Sequence, residues 1–89
     1  MVSYDIIFSR QAQKDARKLT KSNLKTKASE LIEIIKKDPF QSPPRIGVLT
    51  GNLEGCYSRR INIQHRLVYE VLEEQNIVHV LRMWSHYGE

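Results

Sequence analysis

Ser58-Arg59-Arg60-Ile61-Asn62-Ile63-Gln64-His65-Arg66-Leu67-Val68-Tyr69 is the stretch that decides the fold. From Cys56 onward, apolar and polar residues follow a period of two, the spacing of half-buried strands. Tyr57 to Ile63, Arg66 to Leu72 and Ile77 to Trp84 read as three strands. A short turn around Gln64-His65 separates the first two, and the polar run Glu73-Glu74-Gln75-Asn76 separates the last two. The three strands are therefore expected to form an antiparallel meander. Alternation places Ser58, Arg60 and Asn62 on one face of the first strand and Tyr57, Arg59 and Ile61 on the other. On the second strand Leu67, Tyr69 and Val71 form the better core stripe, so Arg66, Val68 and Glu70 share the face turned away from it.

Working outward, Tyr4 to Phe8 has the β-branched and aromatic content of a short strand, and Ser9 is placed to cap a helix. Ala12, Ala16 and Leu19 then recur at helical spacing. Ser22 is positioned to cap a second helix whose stripe is Leu24, Ala28, Leu31, Ile32 and Ile35, and Asp38-Pro39 ends it. Pro43-Pro44 argues against a central strand, so the chain should run extended toward Val48-Leu49. Thr50-Gly51-Asn52 and Glu54-Gly55 supply turn chemistry. The expected fold class is α+β: an N-terminal strand, two helices, then an antiparallel sheet with helices on one face and the other face partly open.

The 89 residues suffice for one domain, 1–89, with a single core. A formal net charge of +4 favours an anionic partner if the arginines converge on one face. Cys56 is the single cysteine, so no internal disulfide can form, and no Cys/His spacing resembles a zinc site. The N-terminal stretch has a three-residue apolar run, Ile6-Ile7-Phe8, without the long apolar region of a signal peptide or membrane span. The expectation is a cytoplasmic protein with no membrane partner, no metal and no cofactor.

Clustered guanidinium groups are fork-shaped donors matched to phosphate oxygens. Two roles fit Arg66: a surface pair with Glu70 on the same face, or a contact to a bound anion. His86, beside Tyr87, can donate or accept a proton near neutral pH. Tyr57 and Trp84 can stack on nucleobases or fill the core. His79 reads as a packed or edge histidine rather than a catalyst, Cys56 as a small buried residue and His65 as a turn residue. The helix cations Lys14, Arg17, Lys18, Lys21, Lys25, Lys27, Lys36 and Lys37 read as a solvated face that could also meet phosphates.

Gly51-Asn52-Leu53-Glu54-Gly55-Cys56-Tyr57-Ser58-Arg59-Arg60-Ile61, then His65-Arg66-Leu67-Val68-Tyr69 and the late His86-Tyr87, together resemble the YoeB/Txe branch of the RelE toxin superfamily. The resemblance covers nearly the whole chain and implies the RelE-like toxin fold. It also implies a type II toxin–antitoxin ribonuclease that cuts mRNA in the A site of the 70S ribosome. The implied partner is a cognate YefM/Phd-type antitoxin covering the active face, with operator DNA bound only through that complex. By position, Arg66 resembles the arginine that stabilises the scissile phosphate, and Arg60 its supporting contact, with Arg59 and Tyr57 beside it. His86 resembles the general acid and Tyr87 the C-terminal aromatic that positions substrate. The implied reaction is attack of a ribose 2′-hydroxyl on the adjacent phosphorus, which needs no metal because the nucleophile is already part of the substrate.

Two departures stand out. YoeB-like toxins usually carry a glutamate, the proposed general base, where this chain has Gly47; Glu54 and Glu70 are substitutes by residue type alone. General-base assistance typically contributes roughly 10²–10⁴-fold. The alternative to an active ribonuclease is therefore a catalytically impaired toxin-fold protein that binds antitoxin or ribosome. Second, Gly88-Glu89 follow the His-Tyr pair at which the family commonly ends.

Overall fold

The computed structural model describes residues 3–51 and 54–85, the last two through their backbone. Its elements are β1 (Asp5–Phe8), α1 (Arg10–Thr20), α2 (Lys25–Lys37), β2 (Ile46–Val48), β3 (Cys56–Arg60), β4 (Arg66–Leu72) and β5 (Ile77–Ser85). The expected α+β order of strand, two helices and sheet holds, and β3-β4-β5 is the expected antiparallel meander. The sheet is larger than the meander. Its order is β1-β5-β4-β3-β2, with β1 parallel to β5 at one edge and β2 antiparallel to β3 at the other.

Local chemistry sets the element ends. Ser9 caps α1, its Oγ accepting from Ala12 N at 3.0 Å and donating to the Leu81 carbonyl at 2.8 Å, so one hydroxyl both starts the helix and ties it to β5. Ser22 sits earlier than a true cap: α2 begins at Lys25, and Ser22 Oγ instead organises the interhelical turn through Leu24 N and the Leu19 carbonyl. The first meander strand stops at Arg60 rather than Ile63. There Asn62 Oδ1 accepts from Gln64 N at 2.8 Å and His65 N at 2.7 Å, while the His65 carbonyl accepts from Ile61 N. A short amide side chain that satisfies nearby backbone donors competes with the ladder, and the strand ends. Asn76, at φ 56°, makes the left-handed turn into β5.

The helices pack on one sheet face. Ala12 and Leu19 of α1 and Ala28, Leu31 and Ile35 of α2 meet Leu67, Tyr69, Val78, Val80 and Met83 in one buried cluster. Asp15 lies in the buried stripe of α1, where its Oδ2 accepts from Met83 N at 3.0 Å. This carboxylate satisfies a β5 donor in the interior, which is why a charged residue is tolerated there. The helix cations named above are all exposed. Two register shifts between β4 and β5, around Val68, locally break the regular pairing beside Arg66. No helix among the described residues is long and apolar enough to cross a membrane.

Candidate phosphate-binding site

β3 carries two adjacent arginines to opposite faces. Arg60 and Ser58 line a cavity of about 300 Å³ on the face away from the helices, together with Pro44, Arg45, Gly47 and Arg66. The ladder explains the grouping: Arg60 pairs with Arg66 across β3 and β4, and Ser58 pairs with Gly47 across β3 and β2. β5 ends its ladder at Ser85, opposite Arg66. Like charges directly opposite one another destabilise a sheet. Among the described residues neither Arg60 nor Arg66 forms a salt bridge, and none of the cavity-lining residues is a carboxylate. Three guanidinium groups, those of Arg45, Arg60 and Arg66, thus surround a space suited to an oxyanion.

Arg59 is the correction. It is 1% exposed, and its guanidinium donates inward to the carbonyls of Gln41 and Pro44 (2.6 Å each) and Pro39 (3.0 Å), and through Nε to the Tyr69 hydroxyl (3.1 Å). With its donors engaged and its face turned to the core, it is no phosphate contact. Its work is to hold the proline-rich loop, whose Pro44 forms part of the cavity wall. Tyr69 completes the clamp by donating to the Pro39 carbonyl at 2.6 Å. Burial pushes the Tyr69 phenol above its ordinary value, against the opposing pull of the Arg59 hydrogen bond and charge.

Tyr57 is likewise not brought to the cavity. Its ring meets Phe40 edge-on (5.3 Å, 84°) and Tyr69 at a tilt (5.9 Å, 38°) beside the core, on the strand face opposite Ser58 and Arg60. Arg66 does not pair with Glu70, whose carboxylate lies 3.2 Å from His79 Nδ1. His79 is accordingly partly exposed and paired with Glu70, outside the buried core cluster. Cys56 is buried, and that burial, followed by the charge of Glu70, raises its thiol above the usual value, making it a poor nucleophile. His86, Tyr87 and Gly88-Glu89 lie outside the described residues, as does the side chain of Trp84. No group of three or more His, Cys, Asp or Glu residues placed to hold a metal ion occurs among the described residues.

Gly47 stands in the cavity wall. A Cβ built there would meet Ser58 Oγ at 2.7 Å, closer than real contacts allow, so the glycine and the serine are sterically matched. The sequence reading passed over Ser58, Arg45 and Pro44. Ser58 was within reach, since it shares a face with Arg60, but Arg45 and Pro44 enter only through the β2–β3 pairing.

Residues 8–87 match the family model of the YoeB-like toxin of bacterial type II toxin–antitoxin systems. The chain belongs to this family. A YoeB toxin from Synechocystis is 38% identical over 66 residues, spanning 74% of this chain and 70% of that protein. Among solved structures, the YoeB/ParE toxin from Agrobacterium tumefaciens has a TM-score of 0.85 at 26% identity, covering 93% of this chain and 99% of that one. The YoeB-YefM complex from Staphylococcus aureus has a TM-score of 0.80 at 34% identity, covering 94% and 98%. As a YoeB-family member the protein is the toxin of a type II toxin–antitoxin system.

Proposed function

We propose that this YoeB-family toxin is a ribosome-dependent endoribonuclease that cleaves mRNA in the A site, with the Arg60–Arg66 cavity holding the scissile phosphate. The carrying observation is the direct cross-strand opposition of Arg60 and Arg66 with no ion pair to either and no carboxylate in the cavity lining among the described residues. A phosphodiester between them converts a repulsive pair into a charge-matched one. Negative charge grows on the phosphoryl oxygens as the ribose 2′-oxygen attacks, and fixed guanidinium donors favour that state over the ground state. The 2′-oxygen–phosphorus bond forms, the phosphorus–5′-oxygen bond breaks, the 2′-hydroxyl proton passes to solvent, and the imidazolium of His86 protonates the leaving 5′-oxygen. The products are a 2′,3′-cyclic phosphate and a 5′-hydroxyl. Tyr87 positions the substrate in this reading, and the partner in the cytoplasm is a YefM-type antitoxin, as YefM is the partner of YoeB in the staphylococcal complex.

Expression without antitoxin should stop growth and produce mRNA cut within codons. Arg66→Ala or His86→Ala should each relieve the arrest; if both variants remain as toxic as the parent, the site is misassigned.

One observation favours a second reading, in which the protein binds antitoxin or ribosome with cleavage impaired: Gly47 leaves the cavity without a carboxylate among its described lining. Retained complex formation with neither arrest nor cleavage would select that reading. The Cβ of Gly47→Glu would come within 2.7 Å of Ser58 Oγ unless that hydroxyl turns aside, whereas it lies 4.0 Å from Ser58 Cβ, so Ser58→Ala makes room for the grafted base. Gly47→Glu with Ser58→Ala should therefore cleave faster than Ser58→Ala alone.

A further inference from the structure

Ser58 is 5% exposed, lines the arginine cavity, and its hydroxyl makes no hydrogen bond among the described residues. A strand position opposite buried Val68 would be served better for packing by a β-branched or fully apolar side chain. The hydroxyl stands at the cavity surface, where water or a ligand oxygen can partner it. Gly47, its cross-strand neighbour, is what leaves room for that hydroxyl, since a Cβ there would come within 2.7 Å of it.

We infer that the Ser58 hydroxyl donates a hydrogen bond to one non-bridging oxygen of a phosphoryl group held between Arg60 and Arg66. The cavity chemistry selects this ligand class. Its other polar side chains are guanidiniums, which only donate, so a ligand there must be rich in acceptors, and a phosphodiester offers oxygens alone. A hydroxyl adds a short, directional donor to two broad cationic forks and distinguishes one phosphoryl oxygen from the other. The inference rests on the phosphate reading of the same cavity and assigns Ser58 as a substrate-contacting group; it gives Ser58 no part in taking the 2′-hydroxyl proton.

The test uses Ser58→Ala, which keeps the Cβ, and Ser58→Cys, which keeps a side-chain γ atom but donates weakly. Inorganic phosphate is titrated into the full-length free toxin at constant ionic strength, followed by amide chemical shifts on β3 and β4. Losing one hydrogen bond to an anion should weaken phosphate roughly tenfold in both variants, and Arg66→Ala should abolish binding. Cleavage of ribosome-bound mRNA bearing a single phosphorothioate at the scissile position supplies the second readout. The wild type should slow with one sulfur diastereomer, and Ser58→Ala should lose that discrimination while remaining folded. Phosphate binding and diastereomer preference that match the wild type in both variants would overturn the inference, as would a wild type that takes up no phosphate. Ser58-dependent phosphate binding by a protein that cuts no mRNA would support the inference while removing the ribonuclease reading. Normal mRNA cleavage with no Ser58 dependence would do the reverse.

Discussion

Arg59 and Arg60 are neighbours in sequence and opposites in structure. Arg59 turns inward, is covered, and spends its guanidinium on one hydroxyl and three backbone carbonyls of the loop from Pro39 to Pro44. Arg60 turns outward and faces Arg66 across the ladder. Strand alternation alone creates the difference, and the consequence is a division of place: one arginine braces the wall of a cavity, and the next lines its interior. A cation is stable inside when oxygens surround it and stable outside when water or a ligand does. Residue type therefore says little about role until the face is known.

The comparison can be attacked from either side. The largest effect belongs to the outward face: Arg66→Ala should cut mRNA cleavage by on the order of 10²–10³-fold, the typical cost of a lost transition-state donor, with the urea unfolding midpoint unchanged. Equal loss of stability would make Arg66 a structural residue and erase the distinction. Next comes the inward face, where Arg59→Ala strands buried carbonyls and should lower unfolding free energy by about 3 kcal/mol, read from denaturant melts. A well-folded Arg59→Ala protein would break the clamp reading. Tyr69→Phe removes the hydroxyl that links the clamp to Pro39 and should cost about 1 kcal/mol. Because the folded-state phenol is raised above its unfolded value, the unfolded chain loses the proton first. Stability should thus hold below roughly pH 10 and fall as pH climbs past it. Tyr69→Phe should blunt that alkaline fall, as followed by thermal melts across pH 9 to 11. The smallest effect is expected for Glu70→Gln, which breaks a half-exposed pair with His79 and should shift stability by no more than about 0.5 kcal/mol.

Much of this was legible in the residues because it depends on local periodicity. The period-two run after Cys56 marks β3, β4 and β5, and the 3.6-residue stripes from Ala12 to Ile35 mark both helices. Alternation also separates Arg59 from Arg60. What could not be read depends on long-range pairing. The parallel docking of β1 on β5 joins the two ends of the chain, and β2 on β3 is what sets Gly47 opposite Ser58. Asp15 escaped notice because a carboxylate in a buried stripe makes sense only once Met83 N is seen to need an acceptor. The motif sets Arg59 beside Arg60, but alternation turns it to the core face, where the carbonyls of Pro39, Gln41 and Pro44 take up its guanidinium.

The most direct test of the division between the two arginines is to measure cleavage of ribosome-bound mRNA and unfolding midpoint on the same preparation of Arg60→Ala. The expected result is a wild-type midpoint with cleavage reduced by about tenfold or more, the loss of one charge-assisted phosphate contact. Full cleavage, or a protein that loses its fold with its activity, would contradict it.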